Sequence, residues 1–324
     1  MLAELADLAQ FAVVGVSPPD LDAARLTFHT RGLDTLNMVL ALVMFGVALD
    51  LRVADFKKLL LSPRAAVVGI VAQVVLLPAF TFLLALAVRP PPSVALGMLL
   101  VAACPGGPMS NFMTHLARGN AELSVALTTA TTAAALLTTP LNLALWAGLH
   151  PDAAPLLRSV ALDPGDMLRT IGVVIAAPLA LGMTIAGLWP RLAGALRRPL
   201  RILSIVVFAV MLVVALRNNF AAVHAHVATI FGVVVVHNAL AFALGYTAAR
   251  LARLEPRDRR AITIEVGIQN AGLALLITVE FFAGLGGMAL VAACWGFWHL
   301  VAGFSLIGVW RLRDRRRARR AGPA

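Results

Sequence analysis

The sequence predicts an all-α polytopic membrane protein, and three observations predict it. Apolar stretches of bilayer-crossing length recur along the whole 324-residue chain. Basic residues crowd onto alternate connectors between those stretches. Two of the stretches are interrupted near their middles by proline, glycine and polar residues.

Of the chain, 60% is hydrophobic and only 13% is charged, against about 25% charged in an average soluble domain. A span needs ~20 apolar residues to cross ~30 Å of hydrocarbon. Nine stretches qualify: 35–51, 64–88, 93–115, 122–148, 167–189, 200–216, 227–250, 261–282 and 287–310. Residues 35–310 therefore form one transmembrane domain, with no length left for a separate soluble one. The segment 1–34 is set apart from it. Within that segment residues 8–17 are mildly apolar, follow Glu4 and Asp7, and run into Pro18-Pro19-Asp20. They are too short for a span and lack the basic start of a signal peptide; a degenerate tenth span there is the alternative. Cys104 and Cys294 both fall inside spans and read as reduced core thiols.

The net charge of +11 would suit nucleic acid, but its distribution does not. With the first span running outside to inside, 21 of the 27 Lys and Arg fall on the cytoplasmic side and six on the other. That alternation is the positive-inside rule. It places the protein in an inner (plasma) membrane, with the N-terminus outside and residues 311–324 as a basic cytoplasmic tail. The tail's seven arginines, Arg311 to Arg320, suit anionic lipid beside the last span better than RNA.

The third span carries Cys104-Pro105-Gly106-Gly107-Pro108-Met109-Ser110-Asn111 near its middle. Two prolines and two glycines remove backbone donors and helical preference together. The eighth carries Glu265-Val266-Gly267-Ile268-Gln269-Asn270-Ala271-Gly272. Broken backbone at membrane depth persists only inside protein or along a wet cavity. Each break lies in the second span of a three-span group, 64–148 or 227–310, and the two groups enter the membrane from opposite sides. Such a pattern predicts an inverted-repeat transporter whose two discontinuous helices cross near the midplane.

Around these breaks the residues resemble the bile acid:sodium symporter family. The matching motifs are Ala103-Cys104-Pro105-Gly106-Gly107, Ser110-Asn111, Leu116-Ala117-Arg118-Gly119-Asn120, Leu123-Ser124-Val125-Ala126 and Thr263 through Ala274, with Gln73 five residues before Pro78. The resemblance runs from about residue 36 to 310. It implies a core domain made of groups 64–148 and 227–310, and a panel domain of 35–51 and 167–216. Sodium-coupled uptake of a bile acid or another organic anion, with two Na+ sites, is the implied activity. Residue by residue, it implies Ser110, Asn111, Ser124, Thr128 and Glu265 for one sodium site. Gln73, Glu265, Gln269 and the carbonyls of Val266 and Ile268 are implied for the other. Pro108, Asn270, His299 and Leu300 fall on the implied substrate site. Pro108 stands where some bacterial relatives have threonine, and Leu300 where relatives often have asparagine.

Chemistry supports the same residues independently. A hard cation takes carboxylate, amide, hydroxyl and carbonyl oxygens. Ser124 and Thr128 share a helix face, and unwinding around Glu265 would release backbone carbonyls. A charged carboxylate at that depth costs about 2.5–3.5 kcal/mol on insertion scales, and no Lys or Arg shares its span region, so a bound cation is a natural partner. Competing readings remain open for each part. Ser124 and Thr128 can be small residues that permit close helix packing, which is common in membranes, Gln73 can bridge helices, and Glu265 can carry a proton instead of binding sodium. His237-Asn238 and His299 read as interhelical hydrogen-bonding groups. The threonines of span four read mainly as bonding their own helix carbonyls or lining the interior. The sequence has no His-Glu-x-x-His zinc motif, no obvious serine-nucleophile motif and no Walker phosphate loop. A proton-coupled carrier is the alternative within transport, and an intramembrane enzyme the distant one.

Overall fold

A computed structural model describes residues 58–160, 177–200 and 220–321, together with scattered positions outside them. The predicted spans 35–51 and 200–216 lie largely outside the described residues, and 167–189 is described only from 177 onward. Every regular element among the described residues is helical.

In chain order, α1 is Pro63–Val88, α2 Pro92–Ala103, α3 Met109–Leu116, α4 Ala121–Leu149 and α5 Ala153–Val160. Then follow α6 (Ala177–Leu188), α7 (Phe220–Leu251), α8 (Pro256–Gly267), α9 (Ala271–Phe281) and α10 (Gly286–Ala321). Helices α1, α4, α7 and α10 are each long and apolar enough to cross a membrane. α2 and α9 are short apolar helices, and each is half of a predicted span that the chain breaks. α2 is buried on every side from Ser93 to Ala103, as a helix apolar all round must be. On α4, Leu137, Leu141, Leu145 and Leu149 are all more than half exposed. Their four-residue spacing makes one apolar stripe, which suits lipid and not water.

Each interruption follows from a backbone rule. Proline cannot donate to the carbonyl four residues earlier. Pro108 thereby orphans Cys104 O, which accepts from Gln73 Nε2 at 3.1 Å. Pro78 orphans Val74 O, which accepts from Asn142 Nδ2 at 3.1 Å. Pro78 also follows a π-helical turn, Ala72–Leu76, and that turn carries Gln73. Ala103 O, at the end of α2, accepts from Thr139 Oγ1 at 2.8 Å. Among the span-four threonines, Thr131 does bond its own helix, at Leu127 O, whereas Thr139 reaches across to another. Without water at this depth, side chains complete the accounting.

The second break contains no proline. It forms where local side-chain bonds compete with the helix: Gln269 Nε2 donates to Val266 O at 2.6 Å, and Asn270 Oδ1 caps α9 by accepting from Leu273 N at 3.0 Å. The sequence expectation needs one adjustment here. Glu265 is not in unwound chain but in the last turn of α8, and the helix ends two residues later.

Charged residues gather where α3 ends, α8 begins and α10 runs on as the basic tail. Arg260 bonds Asp314 through both terminal nitrogens, at 2.9 and 2.6 Å, and donates to Ala117 O at 2.7 Å. Its guanidinium lies 5.5 Å from the Trp310 ring centroid, and Arg311 Nε caps Leu116 O. The predicted tail is therefore a helical continuation of the last span as far as Ala321.

Candidate functional site

The two breaks meet. Gly106 and Gln269 form an isolated antiparallel bridge. Its bonds run from Gly107 N to Ile268 O at 3.0 Å and from Asn270 N to Pro105 O at 2.9 Å. The carboxyl ends of α2 and α8 and the amino ends of α3 and α9 thus converge on one point. Helix dipoles make the first pair partly negative and the second partly positive.

Only glycine permits this approach at Gly106. A Cβ there would overlap the Glu265 carboxylate oxygen Oε1 and lie 2.8 Å from Cδ. Glu265, 1% exposed, reaches across from α8 to α3 and α4. Ser110 Oγ donates to its Oε2 at 2.7 Å, Thr128 Oγ1 to its Oε1 at 2.8 Å, and Ser124 Oγ stands 3.3 Å from Oε2. Asn111 Oδ1 faces the Ser124 and Thr128 hydroxyls at 2.9 and 3.1 Å.

Counting protons shows what this cluster can do. Seven oxygen–oxygen contacts of 2.7–3.3 Å join the Glu265 carboxylate, Asn111 Oδ1, Ser124 O and the three hydroxyls. Three hydroxyls supply only three protons. The surplus is in lone pairs, and a hard cation is what such a surplus accommodates. Among the described residues no group of three His, Cys, Asp or Glu side chains comes together. The donor set is one carboxylate with neutral oxygens, not the nitrogen or sulfur set of a zinc or copper site.

A second polar set lies against the first, beyond the crossing. Gln73 and Gln269 pair their amides reciprocally, Gln73 Nε2 to Gln269 Oε1 at 2.7 Å and Gln269 Nε2 to Gln73 Oε1 at 3.2 Å. Val266 O accepts from Gln269, and Ile268 O is taken by Gly107 N. All nine residues proposed for cations on sequence grounds are therefore brought to the crossing. In the second set the two amides bond each other, Gln269 also holds Val266 O, Ile268 O is held by the Gly107 backbone, and the Glu265 carboxylate turns to the first set.

The four residues expected at the substrate site are placed less uniformly. Pro108 is exposed at the start of α3, and Asn270 is half-buried with its carbonyl oxygen Oδ1 engaged as the α9 cap. Half-buried Leu300 packs on an apolar cluster that includes Met113, Ile264, Ile268 and Trp310. His299 is buried, and its Nδ1 has no partner among the described residues. Sequence reasoning did not place Thr139 or Asn142 in the site's framework. The signal for Asn142 was present in Pro78, which leaves a carbonyl that a nearby polar side chain must cover, and the signal for Thr139 in the helix end that the Cys104–Pro108 break forces at Ala103.

Two broken helices crossing inside an apolar helical body, around a buried carboxylate, define a membrane transporter of the discontinuous-helix type. The model of the sodium bile acid symporter family matches residues 37–226. An uncharacterized sodium-dependent transporter of Bacillus subtilis, YocS, is 30% identical over 307 residues, 95% of this chain and 90% of that protein. A probable chloroplastic sodium/metabolite cotransporter of Oryza sativa, BASS1, is 31% identical over 84% of this chain, which spans 64% of that longer protein. The ileal sodium/bile acid cotransporter of Homo sapiens is 28% identical over 75% of this chain and 68% of its own length. The chain belongs to the sodium bile acid symporter family. It is a multi-pass membrane transporter, not an enzyme.

Proposed function

We propose that this protein couples inward movement of sodium to uptake of an organic anion by alternating access. The observation that carries the reading is the oxygen cluster at Glu265, in which lone pairs outnumber protons. One Na+ would use Glu265, Ser110, Asn111, Ser124 and Thr128. A second would use Gln73, Gln269, Glu265 and the carbonyls of Val266 and Ile268, the one Glu265 charge being shared between the two ions and the anionic substrate supplying the other. The names of the relatives, sodium-dependent or sodium/metabolite transporters, agree with that coupling.

Anion selectivity would come from the amino ends of α3 and α9, whose partial positive charge favours a carboxylate or sulfate. Pro108 and Leu300 leave the surrounding pocket more apolar than threonine and asparagine would. Uptake of a labelled organic-anion panel into proteoliposomes tests the reading. Saturable uptake should require a sodium gradient; uptake driven by a pH gradient without sodium would replace it with proton coupling. Asn270 separates a capping role from a binding role. Asn270→Ala loses the cap, worth about 1 kcal/mol, whereas Asn270→Ser keeps an oxygen there. If the Asn270 amide binds substrate, both variants raise the substrate KM and only the first lowers the unfolding midpoint. An unchanged KM in both removes Asn270 from the substrate site.

Orientation follows the basic residues, with the C-terminus in the cytoplasm of an inner membrane, and core groups 64–148 and 227–310 moving against a panel of 35–51 and 167–216. A reporter active only in the cytoplasm should be active when fused after Ala324 and silent when inserted within 149–165. The opposite pattern inverts the topology.

A further inference from the structure

Consecutive residues on α7, His237 and Asn238, reach different helices. His237 Nε2 lies 2.7 Å from Thr81 Oγ1, on the same helix as the π turn that carries Gln73. Asn238 Nδ2 donates to Gly267 O at 2.8 Å, the last residue of α8. Both side chains are fully buried. His237 also packs edge-on against Trp295 of α10, with ring centroids 4.6 Å apart. Further along the same face of α7, the Phe242 ring occupies the space a Cβ on Gly267 would need, and a Cβ on Gly245 would come within 3.0 Å of Ile262 O, Thr263 Cα and Val266 Cβ. The grip of α7 on the end of α8 is therefore close and continuous.

The consequence concerns three neighbouring carbonyls. Where α8 stops, Val266 O is held by Gln269, Gly267 O by Asn238 and Ile268 O by Gly107. Fixing Gly267 O holds the plane of the 267–268 peptide, which sits between the peptides that carry Val266 O and Ile268 O and so limits the rotations open to both. We propose that His237 and Asn238 form a positioning bracket for the second cation set, holding the Gln73 helix and the end of α8 at a fixed separation. The hydrogen bonds of the pair go to Thr81 and to Gly267 O, not to a proposed ligand side chain, so it acts through the backbone of one wall and the helix of the other. An acceptor left unmatched on each residue, or a donor in the case of the imidazole, accompanies this role: Asn238 Oδ1 and His237 Nδ1 have no partner among the described residues. A purely structural contact would favour an apolar side chain over such a cost. The bracket rests on the sodium reading above.

The test uses the full chain, purified in detergent, with its thermal midpoint titrated against NaCl at constant ionic strength in choline chloride. Partners one step removed from a metal ion typically change its affinity ~10–100-fold. Asn238→Leu, which keeps the size and removes the donor, should raise the half-stabilising sodium concentration about tenfold and flatten the titration. Thr81→Val removes the other anchor and should shift the same quantity in the same direction. Thr278→Val is the control, because among the described residues its buried hydroxyl bonds only its own helix, at Ala274 O; it should leave the sodium titration in place. If Asn238→Leu does not fold, Thr81→Val against Thr278→Val decides alone. Wild-type titrations in the bracket variants overturn the bracket while sodium binding stands. Equal shifts in Thr81→Val and Thr278→Val overturn it as well, since general loosening would then explain both. A wild-type protein that sodium does not stabilise refutes the sodium reading, and the bracket with it.

Discussion

Glu265→Gln is expected to abolish sodium-dependent stabilisation and sodium-driven uptake while leaving a folded protein. Glutamine keeps the shape and an oxygen for the Ser110 or Thr128 hydroxyl, so the hydrogen bonds that hold the side chain at 2.7 and 2.8 Å are only partly lost. What disappears is the single negative charge in a buried set of otherwise neutral ligands. Two unit charges ~4 Å apart at an effective dielectric of ~20 attract by about 4 kcal/mol, which is roughly three powers of ten in affinity. Without sodium the variant should be at least as stable as the wild type, because it no longer keeps a carboxylate at membrane depth. Thermal midpoints measured with sodium and with choline check both halves of the expectation. Sodium stabilisation of the usual size in Glu265→Gln would show that the cation binds elsewhere.

Gly106→Ala should be nearly as severe for transport, by a different cause. Its new Cβ would overlap Glu265 Oε1 and lie 2.8 Å from Cδ. Neither side can yield cheaply. The carboxylate is held by hydroxyls from two helices, and the backbone is held by the bridge to Gln269. Overpacking of this kind costs about 1–3 kcal/mol in stability. A misplacement of about 1 Å in a preorganised site can cost about 100-fold in turnover. Gly107→Ala should be milder, its nearest atom being Gln269 O at 3.2 Å. Gly148→Ala on α4 meets nothing within 4 Å and should stabilise the helix by about 0.5–1 kcal/mol. Proteoliposome uptake and thermal unfolding rank the three. A Gly106→Ala protein with wild-type sodium dependence would mean that the carboxylate is free to move and the site is not preorganised.

Much of the site was legible in the chain because the chemistry is locally dense. Glu265, Gln269 and Asn270 fall within six residues, and Cys104 through Asn111 pack two prolines, two glycines and two polar side chains into eight. Such clusters contradict a smooth membrane helix wherever they occur. The partners that finish the backbone accounting were far less visible. Asn142 and Thr139 look like ordinary polar residues of a threonine-rich span, yet each covers a carbonyl more than thirty residues away. His237 and Asn238 read correctly as interhelical bonding groups, but not as groups that grip Thr81 and Gly267.

By itself, the sequence determined that this protein lies in a membrane, where its described apolar helices run, and where two of them break. Those properties depend on hydrophobic length, proline geometry and glycine propensity, all of which act within a few residues of each other. Only the tertiary structure decided that the breaks meet at Gly106 and Gln269. It also decided that Glu265 lies in the last turn of α8 and faces Ser110, Ser124 and Thr128, and that Asn270 spends its side-chain oxygen on a helix cap. The bridge and the Glu265 contacts join groups from 137 (265 − 128) to 163 (269 − 106) residues apart. Their geometry depends on how closely whole helices approach, which is set by where glycines stand opposite bulky neighbours and by which side chain reaches each carbonyl that a broken helix leaves without water.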